Sequence, residues 1–95
     1  MDKTLNNLGL CFRAGKLVHG TDAVIEGIRT KKVLYVFLAN DAAENTIKKI
    51  TDKAKYYSVE INNTYTSDEL SAAIGKNGRM ALGIIDANFL KILKK

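Results

Sequence analysis

The run Val33-Leu34-Tyr35-Val36-Phe37-Leu38-Ala39 narrows what this chain can become more than any other stretch. Its apolar residues follow one another with no polar alternate, and four of the seven are β-branched or aromatic. A strand with one wet face alternates; a run like this predicts a strand covered on both faces. The cover has to come from elsewhere in the sequence, and helical periodicity supplies it. Leu5, Leu8 and Phe12 recur at helical spacing until Ala14-Gly15-Lys16 stops the segment. Gly20-Thr21-Asp22 reads as a second helix start, with Thr21 or Asp22 as the cap and Val24, Ile25 and Ile28 as the apolar stripe down to Arg29.

Beyond the strand, Asn40-Asp41 is a break. From Glu44 to Tyr57, Ile47, Ile50, Ala54 and Tyr57 share one helical face, while Lys48, Lys49, Lys53 and Lys55 occupy the remainder. Val59-Glu60-Ile61 is a short second strand. Ser67, Leu70, Ala73 and Ile74 predict a short helix with Asp68 and Glu69 favourably placed in its first turn. Gly75-Lys76-Asn77-Gly78-Arg79 is a tight loop, Met80 to Ile85 a third apolar strand, and Asp86 a cap for a last helix through Phe89, Leu90 and Leu93. Helices alternating with buried strands predict an α/β fold with helices on both faces of a small mixed sheet. At 95 residues the chain is long enough for one such domain, residues 1–95, and no more. The order of the strands does not follow from the pattern.

Charge points to the class of partner. The 15 Lys and Arg against 10 Asp and Glu leave a formal +5, which favours polyanions. The excess sits in the Lys-rich helix, the Gly75–Arg79 loop and the C-terminus, while Glu60, Asp68 and Glu69 make residues 59–75 acidic. In that loop Lys76 and Arg79 flank small turn residues, so backbone N–H groups and two cations can face one anion. The same composition also suits a plain solvated turn in which Gly and Asn supply positive φ.

Nothing in the sequence forms a catalytic constellation. His19 is the sole histidine and Cys11 the sole cysteine, and Cys11 lies in an apolar helical stripe where small thiols commonly pack. A Cys11–His19 nucleophile pair is conceivable but has no further support. His19 itself can stack on a base, contact phosphate or simply occupy a half-exposed loop. One histidine with scattered carboxylates gives no metal spacing, and the Gly75 loop is not a nucleotide phosphate loop. No cofactor, metal or enzymatic activity is expected. Asp2, Lys3, Asn6, Asn7 and Arg13 interrupt any signal-peptide core, and no stretch approaches a membrane span, so a cytoplasmic, non-membrane, monomeric protein is expected.

Taken together, several short stretches carry a resemblance. They are Leu8-Gly9-Leu10 through Arg13-Ala14-Gly15-Lys16-Leu17, Gly20, Val36 to Asp41 and Lys49-Ile50-Thr51-Asp52-Lys53. Glu69-Leu70, Ala73-Ile74-Gly75-Lys76, Arg79 and Leu82-Gly83 complete them. In this order and spacing, from Leu5 to about Phe89, the chain resembles the L7Ae/L30e family of ribosomal proteins, most closely its small bacterial YlxQ-like branch. The resemblance implies a three-layer α/β/α sandwich around a four-stranded mixed sheet. It also implies binding of structured RNA, ribosomal RNA among the candidates, and in many members of kink-turns. By the same resemblance the RNA site is Gly20, Thr21 and Asp22, with Lys16 near them in sequence, then Asn40 and Asp41, and then Gly75, Lys76, Asn77, Gly78, Arg79 and Met80. Kink-turn binders commonly carry Asn-Glu after the Gly-Thr and a Lys three residues further on. Here those positions hold Asp22, Ala23 and Glu26. The loss of the guanine-accepting Glu and the phosphate-pairing Lys leaves generic contacts through Lys76, Arg79 and backbone N–H groups. It also leaves open a protein-interaction module that has kept the fold without specific RNA recognition.

Overall fold

In the computed structural model, which describes residues 2–94, the elements alternate as the pattern requires. In chain order they are α1 (Lys3–Arg13), β1 (Leu17–His19), α2 (Thr21–Arg29), β2 (Tyr35–Leu38), α3 (Glu44–Tyr56), β3 (Glu60–Asn62), α4 (Ser67–Ala73), β4 (Ala81–Ile84) and α5 (Ala87–Leu93). The strands form one sheet in the order β1-β4-β2-β3. β4 runs antiparallel to both β1 and β2, and β2 runs parallel to β3. The sheet is therefore mixed, and the apolar run supplies one of its two central strands, buried along its whole length.

Strand alternation divides the covers. Val18, Gly83 and Val36 are cross-strand partners and share one face, against which Gly27 of α2 packs beside Val33; α3 packs on α2. Tyr35 and Phe37 point to the other face, where Phe37 meets Tyr65. There α1 packs on α4 and α5. The result is a three-layer α/β/α sandwich around a four-stranded mixed sheet. Phe37, Leu8, Ile28, Ile50, Leu70, Leu82 and Ile84 are the largest fully buried side chains, drawn from both covers and the sheet between them. Each contributes on the order of 1.5–3 kcal/mol by leaving water.

Three local expectations are corrected. β1 lies in a stretch that periodicity leaves unassigned; three residues are too few for a pattern, and pairing with β4 is what makes them a strand. The apolar run is longer than its strand. Val33 and Leu34 precede the ladder, and Leu34 is 41% exposed although its N–H reaches the Ile84 carbonyl at 2.7 Å. Neither Thr21 nor Asp22 caps α2, because Gly20 itself takes the N-cap position and offers no side chain. Elsewhere the local chemistry holds. Asp86 caps α5 through the Phe89 N–H, and α4 begins with a capping box between Thr66 and Glu69.

Candidate nucleic-acid interface

Strand register decides which of the candidate residues meet. His19 stands opposite Leu82 and Leu38 opposite Ala81, so the ends of β1 and β2 and the start of β4 lie at one end of the sheet. There the Gly20 N–H donates to the Ala81 carbonyl at 2.9 Å and the Ala39 N–H to the Met80 carbonyl at 2.8 Å. Gly20–Asp22, Asn40–Asp41 and Arg79–Met80 are thus brought together from three distant parts of the chain. Lys16 is not among them. The Ile85 N–H bonds to the Lys16 carbonyl, at the opposite end of β1, roughly 13 Å away along an extended chain.

At this end, α2 opens without a side-chain cap. Gly20 adopts φ 96°, which other residues rarely reach, and this lets β1 turn directly into the helix. First-turn N–H groups of α2 lack intrahelical acceptors and carry the positive end of the helix dipole. Asp22 stands exposed in the same turn. Asn40 and Asp41 have work within the fold. Asn40 donates from Nδ2 to the Thr64 carbonyl, and the Asp41 carboxylate accepts from the N–H and hydroxyl of Ser67 at the start of α4. Asp41 is therefore a tie between β2 and α4.

Arg79 is held from three sides. Its backbone N–H donates to Ser71 Oγ at 2.8 Å, and the same hydroxyl donates to the Arg79 carbonyl. Its guanidinium donates from Nε to His19 Nδ1 at 2.9 Å and from Nη1 to the Asn77 carbonyl at 3.1 Å. Nearby, Lys76 is exposed and its Nζ stands 5.7 Å from the centroid of the Phe12 ring, whose neighbour at 5.5 Å is the His19 ring. Burial holds the imidazole of His19 below its ordinary value, and the charges of Arg79 and Lys76 push the same way. An Arg Nε always donates, so His19 must present a bare Nδ1 and carry its proton on Nε2.

Three contributors to this surface are invisible to sequence spacing: His19, Phe12 and Ser71. His19 faces Arg79 only because β1 and β4 pair, and Ser71 is the one buried polar residue among those described. Glu26 lies one turn into α2 and is held by Arg29 in a two-point contact, Nη2 to Oε2 at 2.6 Å. That pairing partly offsets the charge of the Glu26 carboxylate.

A four-stranded mixed sheet covered by helices on both faces defines a small three-layer α/β/α domain. The chain belongs to the Ribosomal protein L7Ae/L30e/S12e/Gadd45 family, whose profile matches residues 2–94. It is 44% identical over 93 residues to the RNA-binding protein YlxQ of Enterococcus faecium, covering 98% of this chain and 89% of that protein. With the protein of the same name from Bacillus subtilis the identity is 42% over 82 residues, covering 86% and 82% of the two chains. A Bacillus halodurans structure of unknown function superposes with a TM-score of 0.92 at 34% identity, over 99% of this chain and 95% of that one. The Giardia lamblia 15.5kD RNA binding protein shares the fold at a TM-score of 0.77 and 15% identity, over 94% and 76% of the two chains.

Proposed function

We propose that this chain is a non-enzymatic RNA-binding protein that grips structured RNA at the sheet end formed by Gly20–Asp22, Asn40 and Gly75–Met80. The observation that carries the reading is the convergence of Arg79 with the uncapped start of α2, two anion-seeking features joined by strand pairing. Membership of the family and the RNA-binding relatives support it, as does the +5 charge. Contacts of this kind read phosphate position and backbone shape. Base-specific reading would fall to other side chains, and Ala23 offers none. The expected ligand is a bent or bulged RNA recognised mainly by shape, with kink-turn and ribosomal RNA fragments as the first candidates. The protein acts as a monomer in the cytoplasm.

Affinity for a kink-turn RNA and a ribosomal RNA fragment, measured by fluorescence anisotropy over a salt series, tests this. The logarithm of the binding constant falls by roughly 0.7–0.9 per phosphate contact for each unit of log salt. Lys76→Ala with Arg79→Ala weakens binding about tenfold or more and flattens that slope by about one to two contacts. Lys48→Ala with Lys49→Ala, on the exposed face of α3, changes it little. Equal losses from the two pairs would mean undirected charge attraction, and no binding at low salt would sink the reading.

A further inference from the structure

We infer that His19 is a positioning residue that aims the Arg79 guanidinium at a phosphodiester of the bound RNA; the inference rests on the RNA-binding reading above. The argument begins with how little freedom Arg79 keeps. Ser71 grips its backbone on both sides through one hydroxyl, and Ser71 is buried, so this anchor is shielded from water. The Asn77 carbonyl and His19 Nδ1 then engage two guanidinium donors. Of the five N–H donors of an arginine, three remain, including both on Nη2. A free arginine gives up much rotamer freedom when it binds, whereas one already held loses less.

His19 suits this task as an acceptor. Its ring packs edge-on to Phe12, which fixes its plane, and burial first, then its neighbours Arg79 and Lys76, disfavour the protonated form that would lose the Nδ1 acceptor. The charged groups acting on His19 come from the loop before β4; α1 contributes the uncharged Phe12. Lys76 Nζ and the His19 ring both lie against the Phe12 ring, and Arg79 holds His19, so the two cations share the end of β1. A phosphate there takes a planar two-point contact from Arg79 and a point charge from Lys76.

The test compares His19→Leu with His19→Asn, whose Oδ1 restores an acceptor near the place of Nδ1. His19→Leu weakens binding of the structured RNA about three- to tenfold, and His19→Asn recovers most of it. In an Arg79→Ala background His19→Leu changes nothing further. In the RNA-free protein, an NMR signal from the Arg79 Nε–H is protected from solvent exchange in the wild type and in His19→Asn, and lost in His19→Leu. Unchanged affinity in His19→Leu, or equal effects with and without Arg79, overturns the positioning role while leaving the RNA reading intact. A rapidly exchanging Arg79 Nε–H in the wild type overturns it too. A wild-type protein that binds no structured RNA overturns both.

Discussion

At the scale of single residues, this protein separates groups that hold the fold from groups that face outward, and sequence identity alone does not sort them. Cys11 and His19 are the chain's two unusual side chains, and they differ in fate. Cys11 is fully buried, its thiol donates weakly to the Lys16 carbonyl at 3.4 Å, and burial, aided by Asp86, pushes its pKa from 9.0 up to about 11. A thiol this protonated is a poor nucleophile. Iodoacetamide at pH 8 therefore leaves native Cys11 unmodified, and alkylation followed by mass spectrometry shows labelling only in denaturant. The sign of the pH effect follows from the raised pKa. Between pH 9 and 11 only the unfolded chain releases the proton, so this thiol's contribution to stability is complete below pH 9 and is lost as pH rises toward 11. His19 is half-buried and accepts from Arg79, which brings a residue with no evident partner in the sequence to the same end of the sheet as the start of α2.

At the scale of elements, α2 and β4 approach each other closely around Val33. Gly27 on α2 and Gly83 on β4 both stand against Val33, and Val18 closes the other side. A Cβ built on Gly83 would sit 2.8 Å from Val33 Cγ2 and 3.2 Å from Val18 Cγ2, nearer than carbons tolerate. Overpacking of this kind costs about 1–3 kcal/mol. Gly83→Ala lowers the melting temperature in calorimetry by some 4–8 °C for each kcal/mol lost, as expected for a domain of this size. Because Val33 makes the closest contact, Val33→Ala in the same chain relieves most of the clash, and the double variant is more stable than the two single losses combined would allow. Strict additivity would place the strain elsewhere. The helix ends show the complementary lesson. Thr66-x-x-Glu69 and Asp86 cap as their sequence chemistry dictates, whereas α2 starts on Gly20 and α3 on Ala43, neither of which offers a side-chain cap.

At the scale of the whole molecule, the sheet ends on two short edges. Its edge strands β1 and β3 have three residues each, and short edges are poor templates for further pairing. The large exposed apolar residues Leu10, Leu34, Tyr56 and Ile92 are spread over α1, the approach to β2, α3 and α5. Sedimentation equilibrium is expected to give a single species at the mass of one chain, and a dimer at micromolar concentration would refute this. Much of the fold was legible beforehand. An apolar run without alternation demanded cover on both faces, and amphipathic helices with Leu5, Leu8, Val24, Ile28 and Ile50 on their buried sides supplied it, because burial of apolar surface follows periodicity that a single sequence displays. Turn chemistry and charge point to Lys76 and Arg79 as candidate anion contacts, whereas Gly20 enters the candidate site through the family resemblance. Tertiary structure alone decided the rest. Strand order and register depend on pairings between residues far apart in the chain, so only the fold could bring His19 to Arg79, send Lys16 to the opposite end of β1, and give Asp41 to α4.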